Sequence, residues 1–154
     1  MTPKILIADD HEIVLEGIHT LLTRSRQDWE ICGEARNGEE AVRLAKSLRP
    51  DVVVLDITMP GLSGLQAAIQ IAKLNLGCRI LMFTMHDSGR LTAEVRNAGA
   101  HGYVLKSQAA RDLVRAIECL IGGNTFFGSE PEGEHKEKRE RSSGSLFRWA
   151  FGAM

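Results

Sequence analysis

The chain has 154 residues, 44% of them hydrophobic and 25% charged, with a formal net charge of −1. These values fit a soluble domain large enough to bury its own core. They exclude the strongly basic surface that non-specific nucleic-acid binding requires. Cys32, Cys78 and Cys119 are isolated and odd in number. That argues for core-filling thiols in a reducing compartment, against a disulfide framework or a zinc site. No apolar run reaches membrane-spanning length, and the first residues do not resemble a signal peptide. The expected location is the cytoplasm, with no membrane span.

The first apolar run, residues 4–8, predicts a strand that stops at Asp9-Asp10. Residues 11–24 follow with helical spacing. Val14, Leu15, Ile18, Leu21 and Leu22 share one arc at about 100° per residue. Ile13 falls off that arc, beside Gly17, Thr20 and Arg24. A stray exposed apolar side chain is the simpler account of it than a docking patch. A second strand is predicted near 30–35 and a helix near 38–48. Val52-Val53-Val54-Leu55 is a β-branched run that ends at Asp56, and Pro60-Gly61 then marks a turn. Helix 64–75, strand 79–84 ending in Thr84, helix 88–98 and strand 102–105 ending before Lys106 follow in order. The last predicted helix, 109–121, carries the stripe Ala110, Leu113, Val114, Ile117, Leu120 and Ile121, and Gly122-Gly123 stops it.

Beyond Phe126-Phe127 the composition changes. Residues 130–141 hold five acids and four bases, and Ser142, Ser143, Gly144 and Ser145 come next. Such a segment cannot bury a core and is expected to be disordered. Leu146 to Met154 is apolar and aromatic, with Arg148 as its one charge. The expected organisation is a folded domain over 1–127 and a charged linker with a short apolar tail over 128–154.

Five strands alternating with five helices predict an α/β fold: a doubly wound five-stranded parallel sheet with helices on both faces. In such sheets chemistry gathers outside the carboxyl ends of the strands. The strand ends here offer Asp9, Asp10 and Asp56, the hydroxyl of Thr84 and the ammonium of Lys106. Clustered acids suit a hard cation such as Mg2+. A hydroxyl and an ammonium beside them suit a phosphoryl group. A carboxylate between a cation and an ammonium can also act as a nucleophile toward phosphorus. Taken singly, each residue has a plainer role: Asp10 a helix cap, Asp56 a turn residue, Thr84 a strand former, Lys106 a solvated end. His11, His19, His86 and His101 show no metal-ligand spacing and receive no metal role.

The segments Ile7-Ala8-Asp9-Asp10-His11, Leu55-Asp56-Ile57-Thr58-Met59-Pro60-Gly61, Phe83-Thr84-Met85-His86 and Gly102-Tyr103-Val104-Leu105-Lys106-Ser107 resemble, as a set and in order, the signatures of response regulator receiver domains. The spelling is most similar to the NarL/FixJ group. The resemblance covers about residues 4–127 and implies a flavodoxin-like fold. It implies that Asp56 accepts a phosphoryl group from a sensor histidine kinase or phosphotransfer protein. Mg2+ would be held by Asp9, Asp10, Asp56 and the backbone carbonyl of Thr58. Thr84 and Tyr103 would form the switch, Lys106 would bind the phosphoryl group, and Met85 would flank the approach of water to it.

The chain departs from the group in two ways. Only residues 122–154 follow Ile121, without an amphipathic helix pair, so a helix-turn-helix domain and direct DNA binding are not carried over. Ser107 stands where the family often has proline. The expected function is a two-component signalling switch, not an enzyme on an external substrate, acting through protein contacts and able to form a homodimer. A remnant of a DNA-binding regulator is the alternative. A magnesium-dependent phosphohydrolase ranks last, because such enzymes need an acid two residues after the nucleophile, where this chain has Thr58.

Overall fold

A computed structural model describes residues 2–85 and 87–127. The charged linker and apolar tail expected over 128–154 lie outside the described residues, as does His86. The strands are β1 (Lys4–Ala8), β2 (Glu30–Ala35), β3 (Val52–Asp56), β4 (Arg79–Thr84), β5 (Gly102–Leu105) and β6 (Phe126–Phe127). They form one parallel sheet in the order β2-β1-β3-β4-β5-β6. The helices are α1 (Glu12–Ser25), α2 (Gly38–Leu48), α3 (Gly64–Lys73), α4 (Leu91–Asn97) and α5 (Ala109–Ile121).

Strand alternation divides the core into two layers. Ile5, Ile7, Val52, Val54, Leu81 and Phe83 face α1 and α5, burying Leu15, Ile18 and Leu22 from α1 and Leu113, Ile117 and Leu120 from α5. Leu6, Val53, Leu55, Ile80 and Met82 face the other way, against Ala41 and Ala45 of α2, Ala67, Ala68 and Ile71 of α3, and Leu91 and Val95 of α4. Burial on both faces explains why the strands read as continuous apolar runs. The winding reverses between β1 and β3, and a crevice opens at such a reversal beyond the strand ends.

Three expectations are corrected. The sheet has six strands, because Phe126-Phe127 joins the free edge of β5. Two residues are too short for a periodic signal. The pairing depends on Gly102, where a Cβ would stand 2.1 Å from the Phe126 carbonyl oxygen. Second, the buried stripe of α5 is rotated: Asp112 and Ala116 are buried, whereas Ala110 and Ile121 are exposed. The helix centres its contact on Leu113 and Leu120, which leaves Ala110 and Ile121 at one edge of the arc. Third, α4 spans only Leu91–Asn97, shorter than the predicted 88–98.

The three cysteines are free and partly buried, as expected of packing residues. Among the described residues there is no cis peptide bond, so the Lys106–Ser107 bond is trans and opens a 3-10 turn over Lys106–Gln108. No helix among the described residues is long and apolar enough to cross a membrane.

Candidate functional site

The pairing of Ala8 with Leu55 brings Asp9 and Asp56 out side by side at the sheet's carboxyl edge. Asp9 is fully buried and Asp56 is 4% exposed. Asp10 points outward, and its carboxylate is not used as a helix cap. The N-cap of α1 is His11, without a side-chain cap bond. The His11 backbone N–H donates to Asp9 Oδ1 at 2.9 Å. The imidazole Nδ1 lies 3.1 Å from Asp9 Oδ1 and 3.2 Å from Asp10 Oδ1. The structure therefore brings into the cluster a histidine to which no metal role was given. The sequence signal for it was adjacency, not ligand spacing.

Lys106 enters from the end of β5. Its Nζ stands 2.8 Å from Asp9 Oδ2 and 3.3 Å from Asp56 Oδ1. Burial, with the neighbouring charge of Asp9, raises the pKa of Asp56 to about 6, against the opposing pull of Lys106 and of the Thr58 N–H. A carboxylate this poorly stabilised gains from any added positive charge or from losing its own.

The loop after Asp56 is closed by its own backbone. Gly64 N–H donates to the Ile57 carbonyl at 2.7 Å, and Thr58 N–H reaches Asp56 Oδ1 at 3.4 Å. Gly61 takes a φ of +73°, open to glycine at low cost. Gly64 matters more: a Cβ there would stand 1.9 Å from the Asp56 carbonyl oxygen. The start of α3, capped by Ser63 and Gln66 in a reciprocal pair, thus packs directly on the backbone of Asp56.

Thr84 is buried at the end of β4, one residue past the Phe83 that pairs with Asp56. Tyr103 pairs with Met82, and Leu105 with Thr84, so Thr84 and Tyr103 lie diagonally on adjacent strands. Tyr103 is buried, edge-on to Phe127 with ring centroids 6.1 Å apart. Burial pushes its hydroxyl pKa up, while a hydrogen bond with Thr92 of α4 lowers it. Met85 is 66% exposed, so it does not seal the strand ends from water in this state.

Ligand atoms of Asp9, Asp10, His11 and Asp56 all lie within 4.8 Å of one another. The donors are mainly carboxylate oxygens, and Asp9 and Asp56 set two of them in the buried floor of the crevice. Both features fit a hard divalent cation.

The description of the response regulator receiver domain matches residues 5–118. The chain belongs to this family. Among curated relatives, response regulator UvrY of Escherichia coli is 37% identical over 127 residues, 82% of this chain and 58% of that protein. The transcriptional regulatory protein YdfI of Bacillus subtilis is 40% identical over 123 residues, 80% of this chain and 57% of that protein. The chain thus spans well under two thirds of the length of these relatives. Among solved structures, a two-component response regulator of the LuxR family from Aurantimonas is 37% identical, with a TM-score of 0.79 over 92% of this chain and 100% of that one. The isolated REC domain of RcsB from Salmonella enterica, solved with the phosphomimetic BeF3−, has a TM-score of 0.74 at 28% identity, covering 82% of this chain and 94% of that one. The flavodoxin-like receiver fold expected from sequence is the fold found.

Proposed function

We propose that this receiver domain is a phosphorylation-operated switch of a two-component system, with Asp56 as the phosphoacceptor. The observation that carries the reading is the meeting of Lys106 Nζ with both Asp9 and Asp56, at 2.8 and 3.3 Å, in a buried crevice. The donor is a phosphohistidine of a sensor histidine kinase or phosphotransfer protein. Asp56 Oδ attacks phosphorus, the phosphorus–nitrogen bond breaks, and the imidazole leaves with that electron pair. An acyl phosphate is formed on Asp56.

Asp9, Asp10, Asp56 and the Thr58 carbonyl would hold Mg2+, which when bound offsets charge on the phosphoryl oxygens. Lys106 exchanges a carboxylate partner for a phosphoryl oxygen, where its ammonium balances the added charge. The Thr84 hydroxyl donates to a second oxygen. Drawing Thr84 toward the phosphoryl group leaves space beside Tyr103, and the ring responds from its place between α4 and β6. The chain acts on no external substrate. It works in the cytoplasm through protein contacts, as monomer or homodimer, without direct DNA binding.

Incubation with a small phosphodonor and Mg2+, followed by intact-mass measurement, tests the assignment. The parent protein gains one phosphoryl group and Asp56→Asn gains none. Equal labelling of the two would refute it.

A further inference from the structure

An apolar groove runs along α1 toward the start of α5. Val14, Gly17, Leu21, Phe83, Lys106 and Ala109 line its inner part, a hollow of about 360 Å³. A shallow strip of the α1 surface continues it, sharing Gly17 and Leu21 and carrying Ile13, Glu16, Thr20 and Arg24. Ile13 stands on this rim 79% exposed, and a Cβ placed on Gly17 would meet nothing within 4 Å. The side chain read from sequence as a stray thus stands at the outer end of the apolar groove, where Gly17 leaves the helix surface open.

The chain also carries a matching occupant. Leu146, Phe147, Trp149, Ala150 and Phe151 form its most aromatic segment, with Arg148 as the one charge. Eighteen residues, 128–145, join that segment to β6, a reach of up to about 60 Å. Phe127 pairs with Tyr103, three residues before Lys106, so the groove begins within about 15 Å of the end of β6. The tether is therefore ample and makes docking intramolecular. The volume of the inner hollow admits one or two aromatic side chains. Glu16 and Arg24 lie two turns apart on the rim, so pairing of Arg148 with Glu16 would set the direction of the segment.

We propose that the segment Leu146–Phe151 docks intramolecularly in the groove formed by α1 and the start of α5, with aromatic side chains over Gly17 and beside Ile13. The inner wall includes Lys106 and Phe83, so an occupied groove borders the strand-end carboxylates without entering them.

The chain has two tryptophans, Trp29 and Trp149. In the full chain carrying Trp29→Phe, Trp149 alone reports. Its emission should be blue-shifted relative to the urea-unfolded chain, with acrylamide quenching several-fold weaker, and independent of protein concentration. Adding Gly17→Lys, which lays a charged side chain across the groove and favours the helix, should restore solvent-like emission and quenching while far-UV circular dichroism stays unchanged. Should Trp29→Phe fail to fold, amide chemical shifts of the unmodified chain give a second reading. Replacing Phe147, Trp149 and Phe151 with serine should then move the signals of Ile13, Gly17 and Leu21, and leave those of α2 unmoved. Solvent-like Trp149 in the parent, or a blue shift that survives Gly17→Lys, would overturn the proposal. So would a shift that appears only on concentration with a dimer in sedimentation, since the occupant would then be a second copy. Unmoved signals at Ile13, Gly17 and Leu21 would do the same in the second experiment.

Discussion

At the scale of single residues, Asp56 ties chemistry to stability. Its pKa is raised to about 6 by burial and by Asp9. Protons therefore bind the folded state more readily than the unfolded one between about pH 4 and pH 6. Stability contributed at this residue falls as pH rises through that window and stays low above it. Asp56→Asn should be more stable than the parent at pH 7.5, by about 1–3 kcal/mol, and the gap should close near pH 4. Urea titrations at the two pH values measure this. A variant less stable than the parent at pH 7.5 would show that the carboxylate is held by compensating contacts. His101 has the opposite sign. Its Nδ1 accepts the Ile80 backbone N–H at 3.0 Å, which only the unprotonated nitrogen can do, and burial lowers its pKa. The stability it contributes is present above about pH 6.5 and is lost as pH falls below that value. His101→Ala, leaving the Ile80 N–H without its acceptor, should cost about 1–3 kcal/mol at pH 7.5. The Asp56, Thr84 and Lys106 set was legible because all three end apolar runs. The roles of His11 and His101 were not, since each depends on contacts that spacing does not encode.

At the scale of elements, the site rests on the junction between β3 and α3. Gly64 lets the helix start press on the Asp56 carbonyl, where a Cβ would stand only 1.9 Å away. Gly64→Ala should destabilise the fold by at least about 1–3 kcal/mol, the usual cost of overpacking. It should also lower the extent of labelling at Asp56 by displacing that residue. A thermal melt and a mass spectrum on the same sample check both effects; unchanged values would mean the loop yields freely. The long elements were legible because their periods are strong: β3 is apolar throughout, and α1 keeps Leu15, Ile18 and Leu22 inward. β6 was not legible, because a two-residue strand has no period and is defined by the neighbour it meets. The burial of Asp112 escaped for a related reason. A charged residue reads as solvent-facing, yet here Arg111 Nε lies 3.0 Å from its carboxylate and Arg115 Nη1 3.7 Å.

At the scale of the whole molecule, the two core layers hold the ends of β1, β3, β4 and β5 in one crevice, and the cluster there should couple cation binding to folding. A cation that binds only the folded chain stabilises it by mass action, about 1.4 kcal/mol at a tenfold excess over Kd. Mg2+ should raise the melting temperature, Asp10→Asn should shrink the rise, and chelator should abolish it. Equal melting with chelator and with Mg2+ would count against the metal site. An acyl phosphate on Asp56 can be located directly by its chemistry. Treat the phosphorylated full chain with borohydride, which reduces an acyl phosphate to the alcohol, then digest it and map the peptides by mass. Homoserine should appear at position 56, dependent on phosphodonor and Mg2+. Homoserine at another position, or a phosphoryl group retained on a residue other than Asp56, would contradict it.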